Sequence, residues 1–341
     1  MHVNVAIIGL NRISASMGLA LKRYQARPKA EHTFTIMGND AIGQTMKDAE
    51  KIGAVDNFHR SISKAVQGAN LIIINSPLGK LEDLYATLGP ELAAGVVVLD
   101  MTPHKMPVIE WANQHFPTNS EGDKVAYVVG ITPIVNVNGL YNANFDAAAA
   151  SADLFDDAEF LITPDTKCPS EAITLAEDVI KLIGGRTRFM DPAEHDGLIA
   201  ATEALPALLG VSTFYSLQQS EGWPELRRMV NPTLALMIQH FRHQNSQDMF
   251  TLLNNNRANL ARHLDALIGT LDQVRAALHD DAGTEQIEAL LSVAYSEWEK
   301  WDVKRYSGKW EESKAPEIRG GLMGGFLGFG GLRRNKDEDE D

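Results

Sequence analysis

The fold is decided near the start of the chain, by residues 3–40, VNVAIIGLNRISASMGLALKRYQARPKAEHTFTIMGND. Val3–Ile8 is a β-rich apolar run that gives way, after a glycine, to a helical pattern over Ala15–Tyr24. A second apolar run, Phe34–Gly38, leads to Asp40. This order of strand, turn, helix, strand and acid is typical of a dinucleotide-binding unit. In such a unit a pyrophosphate lies on the helix N-terminus and the acid holds a ribose hydroxyl pair.

The turn between the first strand and the first helix departs from the expected G-x-G-x-x-G pattern. Gly9 is present, but Asn11 takes the second glycine position and Ser14 the third. Asparagine tolerates left-handed geometry but carries a side chain where phosphate would approach, whereas serine is a small change. Arg12 is a candidate cation for phosphate, and the helix start offers N–H groups. The motif alone leaves two interpretations open: a nucleotide-binding turn, or an ordinary α/β turn that binds nothing.

Composition narrows the class of protein. The net charge of −14 over 341 residues argues against a nucleic-acid binder or a docking surface for anionic lipid. Cys168 is the single cysteine, so an intramolecular disulfide and a thiolate metal cluster are excluded, and we predict no metal site. The chain opens without a signal peptide, and we expect no apolar stretch of membrane-spanning length. The predicted location is therefore the cytoplasm.

Alternating strand and helix patterns continue to residue 190. The predicted strands are Leu71–Asn75, Val96–Asp100, Ala126–Gly130, Phe160–Thr163 and Thr187–Met190, and the predicted helices are Gly43–Ile52, Leu81–Leu88, Val108–His115 and Glu171–Ile183. Continuous apolar strands with helical crossovers predict an α/β Rossmann-type, doubly wound parallel sheet over residues 1–190. Ligands bind such sheets beyond the carboxyl ends of the strands. The predicted cofactor-binding residues are Gly9, Asn11, Arg12, Ile13, Ser14, Asp40, Ser76, Pro77 and Thr102.

From residue 191 the pattern is helical. Ala193–Gln219 reads as one helix, in which Pro206 predicts a kink, and Glu285–Trp301 as another. A heptad seam runs through Phe250, Leu253, Arg257, Leu260, Leu264, Leu267, Leu271, Val274 and Leu278. Such a seam requires a partner helix, within the chain or from a second subunit. We predict an all-α dimerisation and substrate domain over 191–306. A disordered glycine-rich and acidic tail is predicted over 307–341, with a sticky peptide as the alternative.

Taken together, several short motifs make this chain resemble the prephenate and arogenate dehydrogenase family. They are the opening at Val5–Leu21, then Ile52–Asp56, Asn75–Gly79, Asp100–Lys105, Gly130–Pro133, Phe189–Asp196 and Leu205-Pro206. The resemblance extends from Val3 to about Leu278. It implies a Rossmann domain followed by an all-helical domain that forms a homodimer. Asp40 matches an NAD-type ribose contact, so the resemblance implies NAD rather than NADP as cofactor.

The resemblance also implies a reaction and its residues. In the family, NAD(P)+ takes hydride from the ring carbon that bears the hydroxyl, carbon dioxide leaves, and the ring becomes aromatic. The family usually places a histidine where this chain has Thr132, whose hydroxyl lacks useful basicity near neutral pH. We therefore predict Thr132 and His104, a histidine at the end of the fourth strand, as the candidate catalytic residues.

Other substrate-contacting residues of the family are also replaced. Its serine aligns with Pro103, its two helix histidines align with Ala204 and Ala207, and its arginine falls near Asn231-Pro232. Lys105, His195 and Asp196 match the family, and the last two are expected to cap and orient the domain junction. Two hypotheses follow: an NAD(P)-dependent dehydrogenase with altered acid/base residues and a small-molecule substrate, or a catalytically silent dimeric binding or regulatory relative.

Overall fold

The computed structural model describes residues 1–142, 144–280 and 283–310. These residues form two compact units, Met1–His279 and a second that begins at Asp280. The sheet and the helices up to residue 279 belong to the same unit. The division into domains after residue 190 stays a prediction.

The first unit opens with the predicted alternation of strands and helices. Its strands are β1 (His2–Ile8), β2 (Thr33–Asn39), β3 (Asn57–Phe58), β4 (Leu71–Ile74), β5 (Val97–Asp100), β6 (Tyr127–Ile134), β7 (Glu159–Pro164) and β8 (Arg186–Phe189). The helices among them are α1 (Arg12–Gln25), α2 (Gly43–Lys51), α3 (Ile62–Val66), α4 (Leu81–Leu88), α5 (Met106–His115), α6 (Val137–Leu140) and α7 (Ser170–Leu182). The short strand β3 has no apolar run of its own and was not predicted.

The eight strands form one sheet in the order β3-β2-β1-β4-β5-β6-β7-β8. Strand order reverses between β1 and β4, which is the point where doubly wound sheets bind ligands. The prediction of a parallel sheet holds as far as β6, but β7 pairs antiparallel to β6. β8 then pairs parallel to β7, so the last two strands run against the others. The chain turns back at β6 without a crossover helix that would return β7 in the parallel direction.

Both faces of the sheet are covered, as the apolar strands predicted. All four residues of β4 and all four of β5 are buried. One face packs against α1, α2 and α7, and the other packs against α3, α4 and α5. The apolar cluster on the second face continues into residues of the helical region, among them Ile199, Met249 and Leu260. The sheet and the helical region therefore share a core inside the first unit.

The helical region of this unit comprises α8 (Pro192–Ile199), α9 (Leu205–Gln218), α10 (Trp223–Leu226), α11 (Pro232–Met237), α12 (Ser246–Asn254) and α13 (Arg257–His279). The kink predicted at Pro206 takes the form of a π-helical segment, Ala200–Ala204, between α8 and α9. Proline at position 206 cannot donate a backbone hydrogen bond, which makes an irregular turn before it favourable. The heptad seam spans α12 and α13 and is interrupted between them.

The helical region corrects the expectation that no apolar stretch reaches membrane-spanning length. The stretch Pro192–Gln218 is long and apolar enough to cross a membrane by length and composition alone. Only 22% of its most apolar window is buried within the chain. The same stretch carries His195 and Asp196, which are buried. It reads as apolar because alanine, leucine and isoleucine are frequent after these polar residues, with Glu203 as the one charged side chain among residues 197–218.

The second unit contains α14 (Thr284–Ser307), six residues longer than predicted at its C-terminal end. Gly308 ends the helix in the left-handed conformation, with φ of 64°. From residue 311 onward, the predicted glycine-rich and acidic tail lies outside the described residues.

Candidate active site

The predicted site residues follow the carboxyl ends of neighbouring strands. The turn of residues 9–14 follows β1, Ser76 and Pro77 follow β4, and Thr102 and His104 follow β5. In the β5–β6 ladder the last pair is Asp100 with Gly130, so Thr132 lies two residues beyond it. Since these strands are adjacent in the sheet, one edge carries the candidate cofactor residues and the candidate catalytic residues.

Gly9 is required by the backbone of the turn. Its φ is 84°, and a Cβ at this position would lie 2.4 Å from the carbonyl oxygen of Asn75. Its N–H donates to the Asn39 carbonyl at 2.9 Å. The first glycine of the fingerprint therefore keeps its usual role, which is to let the turn pass close to the end of β4.

Asn11 does not use the left-handed geometry that its position in the fingerprint suggested. Its φ is −135°, and it is the N-cap of α1. The Asn11 Oδ1 accepts from the N–H of Ile13 at 2.9 Å and of Ser14 at 3.1 Å, while the Ser14 hydroxyl accepts from the Asn11 N–H. The two replacements of glycine thus form a reciprocal capping box that satisfies the helix start.

Arg12 is turned towards protein rather than towards the sheet edge. Its side chain is 8% exposed, and its Nη1 donates to the Asn142 carbonyl at 3.0 Å. Its backbone N–H donates to the Phe145 carbonyl at 2.8 Å. We call residues 135–142 and 144–150, which follow β6, the strap. The strap therefore occupies both groups that Arg12 was predicted to offer to a phosphate.

Asp40 lies just after β2, beside the turn. Its Oδ2 accepts from the Leu10 N–H and its Oδ1 from the Ile42 N–H, both at 2.8 Å. These bonds fix the carboxylate at the position predicted for a ribose contact. After β4, on the other side of β1, Ser76 donates to the Ile8 carbonyl at 3.3 Å, and Pro77 is exposed.

A hydroxyl, an imidazole and a carboxylate form a chain on the catalytic side of the edge. The Thr132 Oγ1 lies 2.8 Å from the His195 Nε2, and the His195 Nδ1 lies 3.2 Å from the Asp196 Oδ1. Thr132 is half-buried, whereas His195 is 1% exposed. Of the residues that the chain joins to His195, Thr132 is therefore the one that is partly exposed and lies at the ligand-binding edge.

Asp196 is held by backbone groups of the loop after β5. Its two oxygens accept from the N–H groups of Lys105 at 2.8 Å and Met106 at 2.9 Å. Burial alone would raise the pKa of Asp196, but the hydrogen bonds from His195, Lys105 and Met106 outweigh it, and the pKa is lowered. Asp196 is thus a carboxylate that anchors His195 to the sheet edge.

Lys105 and Thr102 belong to a buried structural cluster. The Lys105 Nζ donates to the carbonyls of Asp100, Thr102 and Ile131 at 2.9, 2.7 and 3.0 Å. Burial lowers its pKa to about 8. The Thr102 hydroxyl is fully buried and donates to Asp100, which also accepts from Tyr85. A cofactor role for Thr102 stays a prediction, and its side chain is engaged within this cluster.

His104 is not the solvated loop histidine that its position suggested. It is 1% exposed, and neither of its ring nitrogens has a well-formed hydrogen bond in the described chain. Burial lowers the pKa of His104, the charges of Lys105 and His195 lower it further, and the charge of Asp196 raises it. His104 is therefore a buried imidazole close to the Asp196 carboxylate, and its predicted catalytic role remains open.

His195 and Asp196 are the site residues that sequence analysis assigned to the domain junction instead. They do connect the two regions, because Asn256 of the loop before α13 donates to the Asp196 carbonyl. Their pairing with Thr132 spans 63 residues and has no local sequence pattern. The signal that sequence offered was the match of His195 and Asp196 to the expected motif, together with a threonine at position 132 where a histidine was expected.

Comparisons with known proteins agree with this architecture. The sequence profile described as "Prephenate dehydrogenase, nucleotide-binding domain" matches residues 18–189. The match begins within α1, after the unusual turn. Cyclohexadienyl dehydrogenase of Zymomonas mobilis is 28% identical over 206 residues, and prephenate dehydrogenase of Bacillus subtilis is 25% identical over 234 residues. These alignments cover 60% and 67% of this chain, but only 64% and 57% of the two relatives.

Solved structures show the same fold. Prephenate dehydrogenase of Aquifex aeolicus, in complex with hydroxyphenyl propionate and NAD+, superposes with a TM-score of 0.66 at 18% identity. The match covers 87% of this chain and 98% of that one. Arogenate dehydrogenase of Synechocystis gives a TM-score of 0.61 at 18% identity, covering 87% and 99%. With half of the chain matched by the profile, this protein belongs to the prephenate dehydrogenase family.

Proposed function

We propose that this protein is an NAD-dependent oxidoreductase that oxidatively decarboxylates a cyclohexadienyl carboxylate, prephenate or arogenate, in tyrosine biosynthesis. The observation that carries the proposal is the Thr132 hydroxyl at the sheet edge, bonded at 2.8 Å to an imidazole that a carboxylate orients. It supplies an acceptor for the substrate hydroxyl proton although the usual histidine is replaced. We take the substrate class, a cyclohexadienyl carboxylate, from the names of the similar proteins. The proposed setting is the cytoplasm.

Two features at the ends of β1 and β2, the Gly9 turn and the Asp40 carboxylate, support NAD as the cofactor. The turn at Gly9 is intact, and the fixed Asp40 carboxylate has the acceptor oxygens that a ribose hydroxyl pair requires. A 2′-phosphate would place negative charge against Asp40, which favours NAD over NADP. When bound, the nicotinamide would accept the hydride from the substrate carbon.

A direct assay tests this function. Absorbance at 340 nm is followed with NAD+ and either prephenate or arogenate, and NADP+ serves as the matched control cofactor. The proposal expects NADH formation with at least one substrate and little with NADP+. No NADH with either substrate, although NAD+ binds in a calorimetric titration, would reject it.

We also propose a homodimer formed by the helical region. Large apolar side chains are exposed there, among them Tyr215 at 65%, Leu271 at 52% and Leu278 at 70%. Large apolar side chains exposed in such number are typical of an interface. The apolar stretch Pro192–Gln218 and the heptad seam are both explained if a second copy covers them.

Sedimentation of charge variants tests the dimer. Leu271→Glu combined with Leu278→Glu places two carboxylates in the proposed interface, and we expect dissociation to monomer. Gln273→Glu, on another side of α13, is the control and should remain dimeric. A wild-type chain that sediments as a monomer would contradict the proposal.

A second candidate function is a catalytically silent binding or regulatory relative. The strap favours it, because Phe145 and Asn142 accept from the Arg12 groups that would otherwise hold a pyrophosphate. Calorimetric titration with NAD+ and NADP+ decides between the two candidates. The silent relative predicts no binding of either at millimolar concentration, whereas the dehydrogenase predicts NAD+ binding.

A further inference from the structure

We propose that His195, acting through the Thr132 hydroxyl, accepts and returns the proton of the substrate hydroxyl. This inference rests on the proposed function, since it concerns the same reaction. It assigns the proton-accepting task to a residue 63 positions away from the one that the family uses. Thr132 contacts the substrate, and His195 supplies the basicity that a threonine lacks.

The burial of the two residues defines the route. His195 is 1% exposed, so a substrate cannot reach the imidazole without moving the protein. Thr132 is half-buried and lies beyond the last β5–β6 pair, at the ligand-binding edge. Its Oγ1 is 2.8 Å from the His195 Nε2. Among these contacts, the Thr132 hydroxyl is therefore the group that connects the His195 imidazole to the ligand-binding edge.

The direction of the hydrogen bonds follows from the charge of Asp196. A carboxylate only accepts hydrogen bonds, and Asp196 already accepts from two backbone N–H groups. The His195 Nδ1 must therefore carry the hydrogen that it shares with Asp196, at 3.2 Å. The neutral ring then has a bare Nε2, which accepts from the Thr132 hydroxyl. This is the tautomer that a proton acceptor needs.

Burial and the neighbouring charges together set the pKa of His195. Burial lowers its pKa, the hydrogen bond and charge of Asp196 raise it, and the charge of Lys105 lowers it. The charge of His195 in turn lowers the pKa of His104, so the two imidazoles disfavour each other's protonated form. The net effect lowers the pKa of His195, so at any pH above this lowered pKa the imidazole is neutral and can accept a proton. Asp196 stabilises the imidazolium once it forms.

The proton path is balanced over the reaction. The substrate O–H proton passes to the Thr132 oxygen as the Thr132 proton passes to the His195 Nε2. When bound, the nicotinamide would take the C–H pair of the same carbon as hydride, and the O–H pair would form C=O. The bond to the carboxylate then breaks, its pair enters the ring, and carbon dioxide leaves. The ring oxygen recovers its proton from His195 through Thr132, so no net proton is released.

Exchange of single histidines tests the proposal. His195→Gln keeps an acceptor near the Nε2 position but has no basicity. We expect kcat to fall by about 10²–10⁴-fold, the range for loss of general base catalysis. The fall in kcat of the wild type at low pH, which reports protonation of His195, should disappear. The KM for NAD+ should stay near that of the wild type.

Three further variants keep the outcome decisive. His279→Gln, at the exposed end of α13, is the matched surface control and should behave as the wild type. Thr132→Ser keeps the hydroxyl, so its pH profile should keep the fall in kcat at low pH (the acid limb). Loss of the acid limb in His104→Gln rather than in His195→Gln would overturn the proposal, as would full activity of folded His195→Gln. An inactive wild type would instead reject the proposed function, and this inference with it.

Discussion

The sheet edge has a nucleotide half, formed by the turn of residues 9–14 and Asp40, and a substrate half, formed by Thr132, His195 and Asp196. The sequences of the two halves depart from the expected pattern in different ways. On the nucleotide half, two glycines of the fingerprint are replaced by Asn11 and Ser14, yet the turn keeps its path. On the substrate half, the sequence has Thr132 where a histidine was expected, and further expected substrate contacts fall on residues such as Pro103 and Ala204. The structure places His195 against the Thr132 hydroxyl. The nucleotide half has absorbed its changes locally, whereas the substrate half relies on a residue from another element.

The difference has a physical origin. A pyrophosphate is held mainly by backbone N–H groups and by the helix dipole, so side chains can change if the backbone is still capped. Proton transfer depends on side-chain atoms with a suitable pKa. Substitution there requires a neighbour with basicity and a hydrogen bond to pass the proton. Backbone-dependent sites therefore tolerate sequence change better than sites that depend on a single side chain.

The largest expected effect contrasts two carboxylates, one from each half. Asp196 and Asp40 each accept from two backbone N–H groups. Asp196→Asn removes an acceptor for His195, and we expect kcat to fall about 10²–10⁴-fold because the tautomer is no longer fixed. Asp40→Asn should instead raise the Kd for NAD+ and leave kcat at saturating NAD+ largely unchanged. Steady-state kinetics and calorimetry measure both. Equal loss of kcat in the two variants would remove the distinction between the halves.

A smaller effect is expected from the glycine that the turn retains. Gly9→Ala introduces a Cβ at 2.4 Å from the Asn75 oxygen, in a backbone with positive φ. We expect the free energy of unfolding to fall by about 2–4 kcal/mol, from backbone strain and steric overlap together.

Gly53→Ala is the matched control for that variant. Gly53 has a φ of 78°, with no atom within 4 Å of the added Cβ. Its cost should be about 1 kcal/mol, from backbone strain alone. Denaturant unfolding compares the two, and equal losses would show that the contact with β4 does not matter.

The smallest expected effect concerns the capping box. Asn11→Ala removes the acceptor for the Ile13 and Ser14 N–H groups, and it should lower stability by about 1 kcal/mol. Asn11→Ser should cap nearly as well and serves as the control. If Asn11→Ala binds NAD+ more tightly, the N–H groups are a phosphate site that Asn11 competes for. Unchanged affinity would mean that the cap and the cofactor use different donors.

Sequence alone was sufficient for most of the fold, because buried parallel strands such as β4 and β5 leave a continuous apolar signature. It was insufficient for β3, which is two residues long, and for the reversed direction of β7, which no local pattern encodes. For the site, the positions at the strand ends were predictable from the topology. The link between Thr132 and His195 was not, because it depends on how α8 packs against the sheet edge. The burial of His104 and the engagement of Arg12 by the strap likewise arise from long-range packing.

The hydrogen position on the His195 ring decides whether this imidazole can take a proton through Thr132. Long-range ¹H–¹⁵N correlation NMR of the histidine rings, assigned with the His195→Gln variant, reports which nitrogen carries the hydrogen. We predict hydrogen on Nδ1 and a bare Nε2 in the neutral ring, because Asp196 accepts from Nδ1 and Thr132 donates to Nε2. A neutral His195 with hydrogen on Nε2 would contradict it, since that ring cannot take a proton through Thr132.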